Sequence, residues 1–323
     1  MSAKVSVIVP TYNRKSLLPE TLDSILGQTY DNYEIVIVDD GSSDGTKEVI
    51  DKYIELNPDK IKYYYRNNGG CAAALNLGLD RVTGNYICVL GDDDIYEPGK
   101  LEIQAMILDK NPGIDFVYSD SYIFNGDERD RLLLTRVPRK TDNLAYDHFF
   151  NTNLFIPAML FRKEIFSKLR FDESLRFNED SDLTIRVALN YRGYYSNCPS
   201  LRIRKHRSQK SKNRWEITQA LIRSYENIIR QYALVCRQLI GEPGVKRRMR
   251  DLYLEYAEAC LMAERYQEIT AIMDKIRPVP WPLYFSFKFR NNSVLNIYSL
   301  LKKAGDKLSV LLRRSLKYGG VSR

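Results

Sequence analysis

The first hundred residues alternate short apolar runs with amphipathic ones, and this alternation restricts the fold more than any other feature. Val5-Ser-Val-Ile-Val9 is a buried strand ending at Pro10. From Ser16 to Leu26 the chain has helical periodicity, with Leu18, Leu22, Ile25 and Leu26 on one face. Tyr33-Glu-Ile-Val-Ile-Val38 is a second strand, closed by Asp39-Asp-Gly-Ser-Ser-Asp-Gly45. Asp44 is placed to cap a helix from about Thr46 to Leu56. A third strand spans Ile61 to Tyr65, Gly69-Gly70 leads into an Ala-rich helix from Cys71 to Asp80, and Tyr86 to Leu90 is a fourth strand. Strands separated by such helices imply right-handed crossovers and a parallel sheet.

Beyond this region the pattern is less regular. Short strands are expected at 116–119, 155–161 and 194–204, with a helix from Asp180 to Tyr191. After Trp215 the chain carries long helical patterns and no further strand signal, which places a boundary there: 1–215 and 216–323. Tyr253, Tyr256, Ala257, Cys260, Leu261 and Ala263 fall at helical spacing, as in a helical hairpin. The fold class expected is α/β, a mostly parallel sheet flanked by helices, with a helical C-terminal appendage.

No apolar run approaches the ~18 residues needed to cross a bilayer, and Val5 to Pro10 is too short for a signal-peptide core. The five cysteines are scattered and odd in number, which fits a reducing, cytoplasmic compartment. The net charge of +8 is unevenly divided: residues 201–323 hold 26 Lys+Arg against 10 Asp+Glu. The acidic front half suits metal use, and the basic back half suits an anionic surface.

Asp92, Asp93 and Asp94 directly follow the fourth strand. Like charges repel, and at a strand end they lose part of their hydration. A hard divalent cation with oxygen ligands, Mn²⁺ or Mg²⁺, would relieve that repulsion; the other reading is a solvated acidic turn. Ligands of parallel sheets bind beyond the carboxyl ends of the strands, so the triplet and Asp39/Asp40 should share one rim.

Four features occur in fixed order: Val9-Pro-Thr-Tyr-Asn-Arg14, Val38-Asp-Asp-Gly-Ser-Ser-Asp-Gly-Thr46, Asn68-Gly-Gly-Cys-Ala-Ala-Ala-Leu-Asn-Leu-Gly78, and the Asp triplet. In this combination the sequence resembles the family-2 glycosyltransferases, which have a GT-A fold. The resemblance covers about residues 3 to 215. It includes Leu169-Arg-Phe-Asp-Glu-Ser-Leu-Arg-Phe-Asn-Glu-Asp-Ser-Asp-Leu183 and Arg204-Lys-His-Arg-Ser-Gln-Lys-Ser211. It implies an inverting transfer of one sugar from a nucleotide-diphosphate donor, UDP- or dTDP-type, to a hydroxyl.

The resemblance puts Pro10, Thr11, Tyr12, Asn13, Asp40, Asn76 and Asp92 around the nucleotide sugar. Asp40 would accept the imide N–H of a uracil or thymine, since a carboxylate is acceptor-only, and Tyr12 offers a stacking face. Asp39 serves equally as a turn residue. By resemblance Asp93, Asp94 and His206 are metal ligands; a His in a basic strip is also often only exposed. Asp180 matches the general base and is also suited to cap its helix; Glu179 would support it. His148 reads as structural.

Two positions depart from the family pattern. The first Asp of the usual Asp-x-Asp falls on Gly91, and Leu75 stands where many relatives have Arg. Arg214-Trp215 is similar to the Gln-x-x-Arg-Trp signature of processive members, but Ser211 replaces the Gln, which favours single-sugar addition.

By family analogy the setting is surface polysaccharide or glycolipid assembly, with a glycan or lipid-linked acceptor. Near the C-terminus, Val294, Ile297, Leu301, Ala304, Leu308 and Leu311 keep a 3–4 residue period flanked by Lys302, Lys303, Lys307, Arg313, Arg314 and Lys317. Such a helix either lies on an anionic membrane, here the inner face, or packs on the catalytic domain. No nucleic-acid module is present. Two other functions fit less well. A non-catalytic nucleotide-sugar-binding subunit would not need Asp93 and Asp180. A nucleotidyltransferase would need a glycine-rich loop after the first strand, and Pro10-Thr-Tyr-Asn-Arg14 has no Gly.

Overall fold

The computed structural model describes residues 2–124, 133–135, 144–151, 154–205 and 214–276. Strand β1 (Val5–Thr11) lies between β2 (Tyr33–Asp39) and β4 (Tyr86–Val89) and runs parallel to both; β3 (Ile61–Tyr65) extends the sheet in parallel beside β2. The connecting helices are α1 (Leu18–Leu26), α2 (Thr46–Leu56) and α3 (Cys71–Arg81). Helix α1 starts two residues later than its periodicity suggests, with Pro19 in its first turn, where a missing N–H does no harm.

Alternation within β1 decides what each face meets. Val5, Val7 and Val9 join Leu18, Leu22 and Ile25 of α1 in one buried cluster. Each such side chain contributes roughly 1.5–3 kcal/mol through burial. Ile8 points the other way, toward α3. A Cβ on Gly78 would lie 2.5 Å from Ile8 Cγ2, so only glycine lets α3 approach β1 this closely. At the start of β2 the buried Glu34 accepts hydrogen bonds from Ser6 (2.7 Å), the Thr83 N–H (2.6 Å), Lys62 and Lys4 (both 2.9 Å). Burial alone would raise its carboxyl, but these donors outweigh it and hold the group well below the usual carboxylate range.

The second half of the sheet mixes directions. It comprises β5 (Ile95–Tyr96), β6 (Phe116–Phe124), β7 (Leu133–Thr135), β8 (Leu160–Arg162) and β9 (Gly193–Arg204), giving the order β3-β2-β1-β4-β8-β6-β9-β5 with β7 beside β6. β8 is antiparallel to β4 and β6, whereas β6 and β9 are parallel, with a register shift between Ser119 and Ser121. The strand expected over 155–161 is instead a 3₁₀ turn, Ile156–Ala158, followed by β8. Pro157 has no N–H for a ladder, so pairing begins only after it.

Helix α4 (Lys100–Lys110) packs Leu101, Ala105 and Leu108 into the core. Helix α5 (Leu144–Asn151) carries His148, which is structural as expected. The ring is buried, its Nδ1 accepts the Leu154 N–H (3.3 Å), and its Nε2 lies 2.9 Å from Thr184 Oγ1. Helix α6 (Glu179–Asn190) begins after Asn178, whose φ of 62° is left-handed. Asp180 is therefore the second residue of the helix and not its cap, and its Oδ1 accepts the Ser181 N–H (2.7 Å).

The described chain divides into two compact units. One holds residues up to 212 together with 223–245; the other holds 213–222 and the residues from 246 onward. The division is not a single cut, because α7 (Arg214–Gln231) contributes to both. Helix α8 (Ala233–Leu239) belongs to the first unit. In the second, α9 (Glu242–Met262) from residue 246 onward and α10 (Tyr266–Ile276) form the hairpin. Lys275 Nζ donates to Tyr253 Oη across it (2.7 Å), and Arg265 stacks 3.8 Å from the Trp215 ring centre. Tyr253, Tyr256, Ala257, Cys260 and Leu261 are buried; Ala263 lies exposed in the turn. No helix among the described residues is long and apolar enough to cross a membrane. The basic pattern from Val294 onward lies outside the described residues.

Lys100 is buried, donating to Gln104 Oε1 (2.9 Å) and the Met159 carbonyl (3.2 Å), with Nζ 4.4 Å from the Tyr96 ring centre. Loss of hydration lowers its ammonium to about 8. Between that value and the ordinary lysine value of ~10.4 the unfolded chain binds more protons, so stability rises with pH. Urea unfolding at pH 7, 8 and 9 should show Lys100→Met losing a stabilising slope of at most about 1.4 kcal/mol per pH unit. An identical slope in the variant would assign the gain to another group.

Candidate active site

Because β2, β1 and β4 are parallel, their carboxyl ends fall on one rim, as the alternation predicts. Asp39 ends β2 and Asp40 follows it, Thr11 ends β1 and Tyr12 follows it, and the Asp triplet follows β4. Backbone hydrogen bonds lace the rim together: Asp40 N–H donates to the Thr11 carbonyl (2.9 Å), and Tyr12 N–H donates to Asp92 Oδ2 (3.2 Å). Thr11 is buried, Pro10 partly so, and the Tyr12 side chain is exposed, open to a flat ligand.

The triplet is held from behind by two other elements. From the end of β9, Arg204 N–H donates to Asp94 Oδ1 (3.0 Å) and Arg204 Nε donates to the Asp93 carbonyl (3.1 Å). From α1, Thr21 Oγ1 donates to the Asp94 carbonyl (2.9 Å). Arg14 approaches from the front, with Nε 3.4 Å from Asp92 Oδ1 and Nη2 4.0 Å from Asp93 Oδ2. Lost hydration, and after it the charge of Asp93, push Asp92 up to about 6 and Asp94 up to about 8.

Gly91 explains the departure from the usual motif. A Cβ there would lie 3.2 Å from Asp93 Oδ1 and 3.6 Å from Asp94 Oδ2. A side chain at this position would therefore crowd both carboxylates. Two hard oxygen donors in a crowded, repelling cluster fit Mn²⁺ or Mg²⁺, since Mg²⁺ is commonly held by one or two carboxylates plus substrate phosphates. Among the described residues no three His, Cys, Asp or Glu side chains group as a metal cage. His206 lies outside the described residues.

Asp40 is buried, and its carboxylate organises the next loop. Oδ1 accepts the Gly69 N–H (2.9 Å) and Oδ2 the Gly70 N–H (2.7 Å), with Arg66 Nε 3.5 Å from Oδ1. Each carboxylate oxygen accepts two hydrogen bonds, so acceptor capacity remains. Asp39 holds the turn: Oδ1 accepts the Ser42 N–H (2.8 Å) and Oδ2 the Tyr63 hydroxyl (3.0 Å). Asn13 Oδ1 accepts the Ser43 N–H (2.8 Å), which leaves Asn13 bracing the loop after β1 against the loop after β2. The residue that caps α2 is Gly45, with a left-handed φ of 93°, and not Asp44 as expected; Asp44 instead accepts the Thr46 N–H (3.0 Å) and the Lys15 N–H (3.2 Å) beside it.

Asn76 ties two elements together. Its amide bonds both the carbonyl and the N–H of Phe171 (3.0 Å each) and Glu173 Oε1 (2.7 Å), tying α3 to the segment that leads into α6. Asp180 and Glu179 open α6. The Asp180 side chain is exposed, yet enough protein surrounds it that lost hydration raises its carboxyl above the ordinary value. Sequence reasoning passed over Arg14, Arg66 and Arg204. Arg14 had a signal, since it ends the first motif and a carboxylate cluster needs a positive partner. Arg66 and Arg204 meet their partners only in three dimensions.

A family model described as glycosyl transferase family 2 matches residues 6–170, slightly more than half of the chain, and the chain belongs to that family. It is 33% identical over 217 residues to an uncharacterized glycosyltransferase of Rickettsia typhi. That alignment covers 64% of this chain and 66% of the relative, just under two thirds of its length. Among solved structures it resembles S. aureus TarS 1-349 in complex with UDP-GlcNAc, with a TM-score of 0.58, 19% identity, and 85% of this chain and 89% of that one covered. It also resembles the mannosyltransferase PcManGT from Pyrobaculum calidifontis in complex with GDP-Man and Mn²⁺, with a TM-score of 0.58, 20% identity, and 94% and 86% covered. At these identities the structural likeness establishes the fold, which is GT-A.

A carboxyl raised by folding holds its proton to higher pH than in the unfolded chain, so the stability it contributes at acid pH is lost as pH rises through the folded value. Denaturation in a chelating buffer should therefore show stability falling from pH 5 to pH 8.5, and falling less in Asp94→Asn. An equal fall in both proteins would mean that Asp94 does not carry the effect.

Proposed function

We propose that this member of glycosyl transferase family 2 is a metal-dependent inverting enzyme. It moves one sugar from a UDP- or dTDP-type donor to a hydroxyl of a glycan or lipid-linked acceptor. The observation that carries this reading is the shared rim, on which an acceptor-only Asp40 and a crowded carboxylate triplet sit on either side of Tyr12. That spacing suits a molecule with a base at one end and a diphosphate at the other.

In this reading the Tyr12 ring stacks on the base, and Asp40, kept rigid by the Gly69 and Gly70 N–H groups, accepts the imide N–H. When bound, Mn²⁺ or Mg²⁺ offsets the charge developing on the departing diphosphate. Asp93 and Asp94 would hold it, with His206 as a further ligand, and Asp92 would contact the donor. Asp180 receives the proton of the acceptor hydroxyl. Its raised carboxyl is a stronger base than an ordinary Asp, which suits proton removal near neutral pH. Glu179 supports it from the adjoining position. The UDP-GlcNAc complex of TarS and the GDP-Man and Mn²⁺ complex of PcManGT agree with a nucleotide-sugar donor and a divalent cation in this fold.

The remaining proposals rest on charge. An excess of basic residues from 201 onward suits a cytoplasmic protein peripheral to the anionic inner face of a membrane. A lipid-linked acceptor of surface polysaccharide or glycolipid assembly would be met there.

Asp180→Asn keeps the size of the side chain and removes the base. Initial-rate assays with Mn²⁺ and a donor panel should show turnover lower by roughly 10²–10⁴-fold, with donor binding by calorimetry unchanged. Unaltered turnover would remove Asp180 from the mechanism.

A further inference from the structure

A chain of hydrogen bonds joins the donor-side helix α3 to the first turn of α6, and Asn76 is its first link. A side-chain amide has two N–H donors and one carbonyl oxygen. In Asn76, Nδ2 donates to the Phe171 carbonyl (3.0 Å) and to Glu173 Oε1 (2.7 Å), while Oδ1 accepts the Phe171 N–H (3.0 Å). Both donors and the acceptor are thus committed to the segment that leads into α6. Arg170 fastens the same segment, with Nη2 2.7 Å from Asp80 Oδ1, but that pair is exposed and so contributes little.

The other side of the segment is bound to α6. The Arg170 carbonyl accepts Arg186 Nη2 (2.7 Å), and Arg186 closes on Asp182 Oδ2 through Nε (2.8 Å) and Nη2 (2.5 Å). Asp182 Oδ1 accepts the Ser224 hydroxyl of α7 (2.7 Å). Asp182 and Arg186 are buried, and opening a buried ion pair is strongly destabilising. Asp182 and Asp180 share the first turn of α6. At the opposite end, Asn76 lies six residues beyond Gly70, whose N–H is held by Asp40, a distance of about 9 Å along the helix.

We propose that Asn76 is a positioning residue: through the 170–171 backbone, Arg186 and Asp182, it sets Asp180 at a fixed distance from the donor-side end of α3. This role rests on the reading of Asp180 as the base given above. A base must come within about 2.6–3.2 Å of the proton it takes, so a small shift of α6 suffices to slow the reaction. Asn76 therefore acts on proton removal and not on nucleotide affinity, which separates this role from direct contact with the donor.

Two measurements on the full chain test it: binding of UDP in saturating Mn²⁺ by calorimetry, and the rate of UDP release from a panel of UDP-sugars. Asn76→Ala should release UDP roughly tenfold to a hundredfold more slowly, the loss expected for a misplacement of up to about 1 Å, with UDP affinity unchanged. Asn76→Gln keeps the amide and should recover part of the rate; it also guards against an Ala variant that does not fold. Combined with Asp180→Asn, Asn76→Ala should cause little further loss, because residues that act through one another are not additive. Weaker UDP binding by Asn76→Ala, or a full further loss in the Asp180→Asn background, overturns the role. Asp180→Asn with undiminished rate would instead overturn the reading of Asp180 as the base, and this role with it.

Discussion

Three carboxylates held together at the end of β4 are the constraint around which the structure is built. An apolar strand delivers them to a partly desolvated rim, where mutual repulsion would open the turn. Arg204, Thr21 and the Tyr12 N–H oppose that repulsion through backbone and side-chain hydrogen bonds. The bonds from the Tyr12 and Arg204 N–H groups end on carboxylate oxygens of Asp92 and Asp94, a kind that contributes about 1.5–3 kcal/mol each. Arg204 reaches the turn only because β9 runs beside β6 and is re-registered at Ser119/Ser121, which puts Arg204 opposite Phe124. The irregular second half of the sheet is thus what supports the charged turn of the regular first half.

The same economy appears at Asp40. Its two oxygens hold the Gly69 and Gly70 N–H groups, so one buried carboxylate both shapes the loop before α3 and faces the rim as an oriented acceptor. Rigidity of this kind lowers the ordering cost of binding a ligand. Arg66 beside it balances the buried charge.

The regular elements were legible in the sequence because their signals are local. Helix α2 and β3 match their periodic runs, and the shared rim follows from parallel crossovers. Errors arose where a residue had two uses. Pro157 interrupts an apolar run that otherwise reads as a strand. Asp180 looks like a helix cap, but Asn178 takes the left-handed position and the helix starts earlier. A structural partner can also be invisible without any error: Asn76, placed by resemblance at the nucleotide, bonds a segment about a hundred residues away in sequence, which no local pattern announces.

The sequence by itself determined the alternating layout, the carboxylates at strand ends and the family, because hydrophobic period and motif spacing are properties of neighbouring residues. Only the tertiary structure decided how the carboxylates are used. Asp40 serves the loop as well as the rim, Asp93 and Asp94 crowd Gly91, and Arg204 reaches the turn from the end of β9. These outcomes depend on desolvation and on donors from remote segments. Both are set by packing, so neither can be read from the order of residues along the chain.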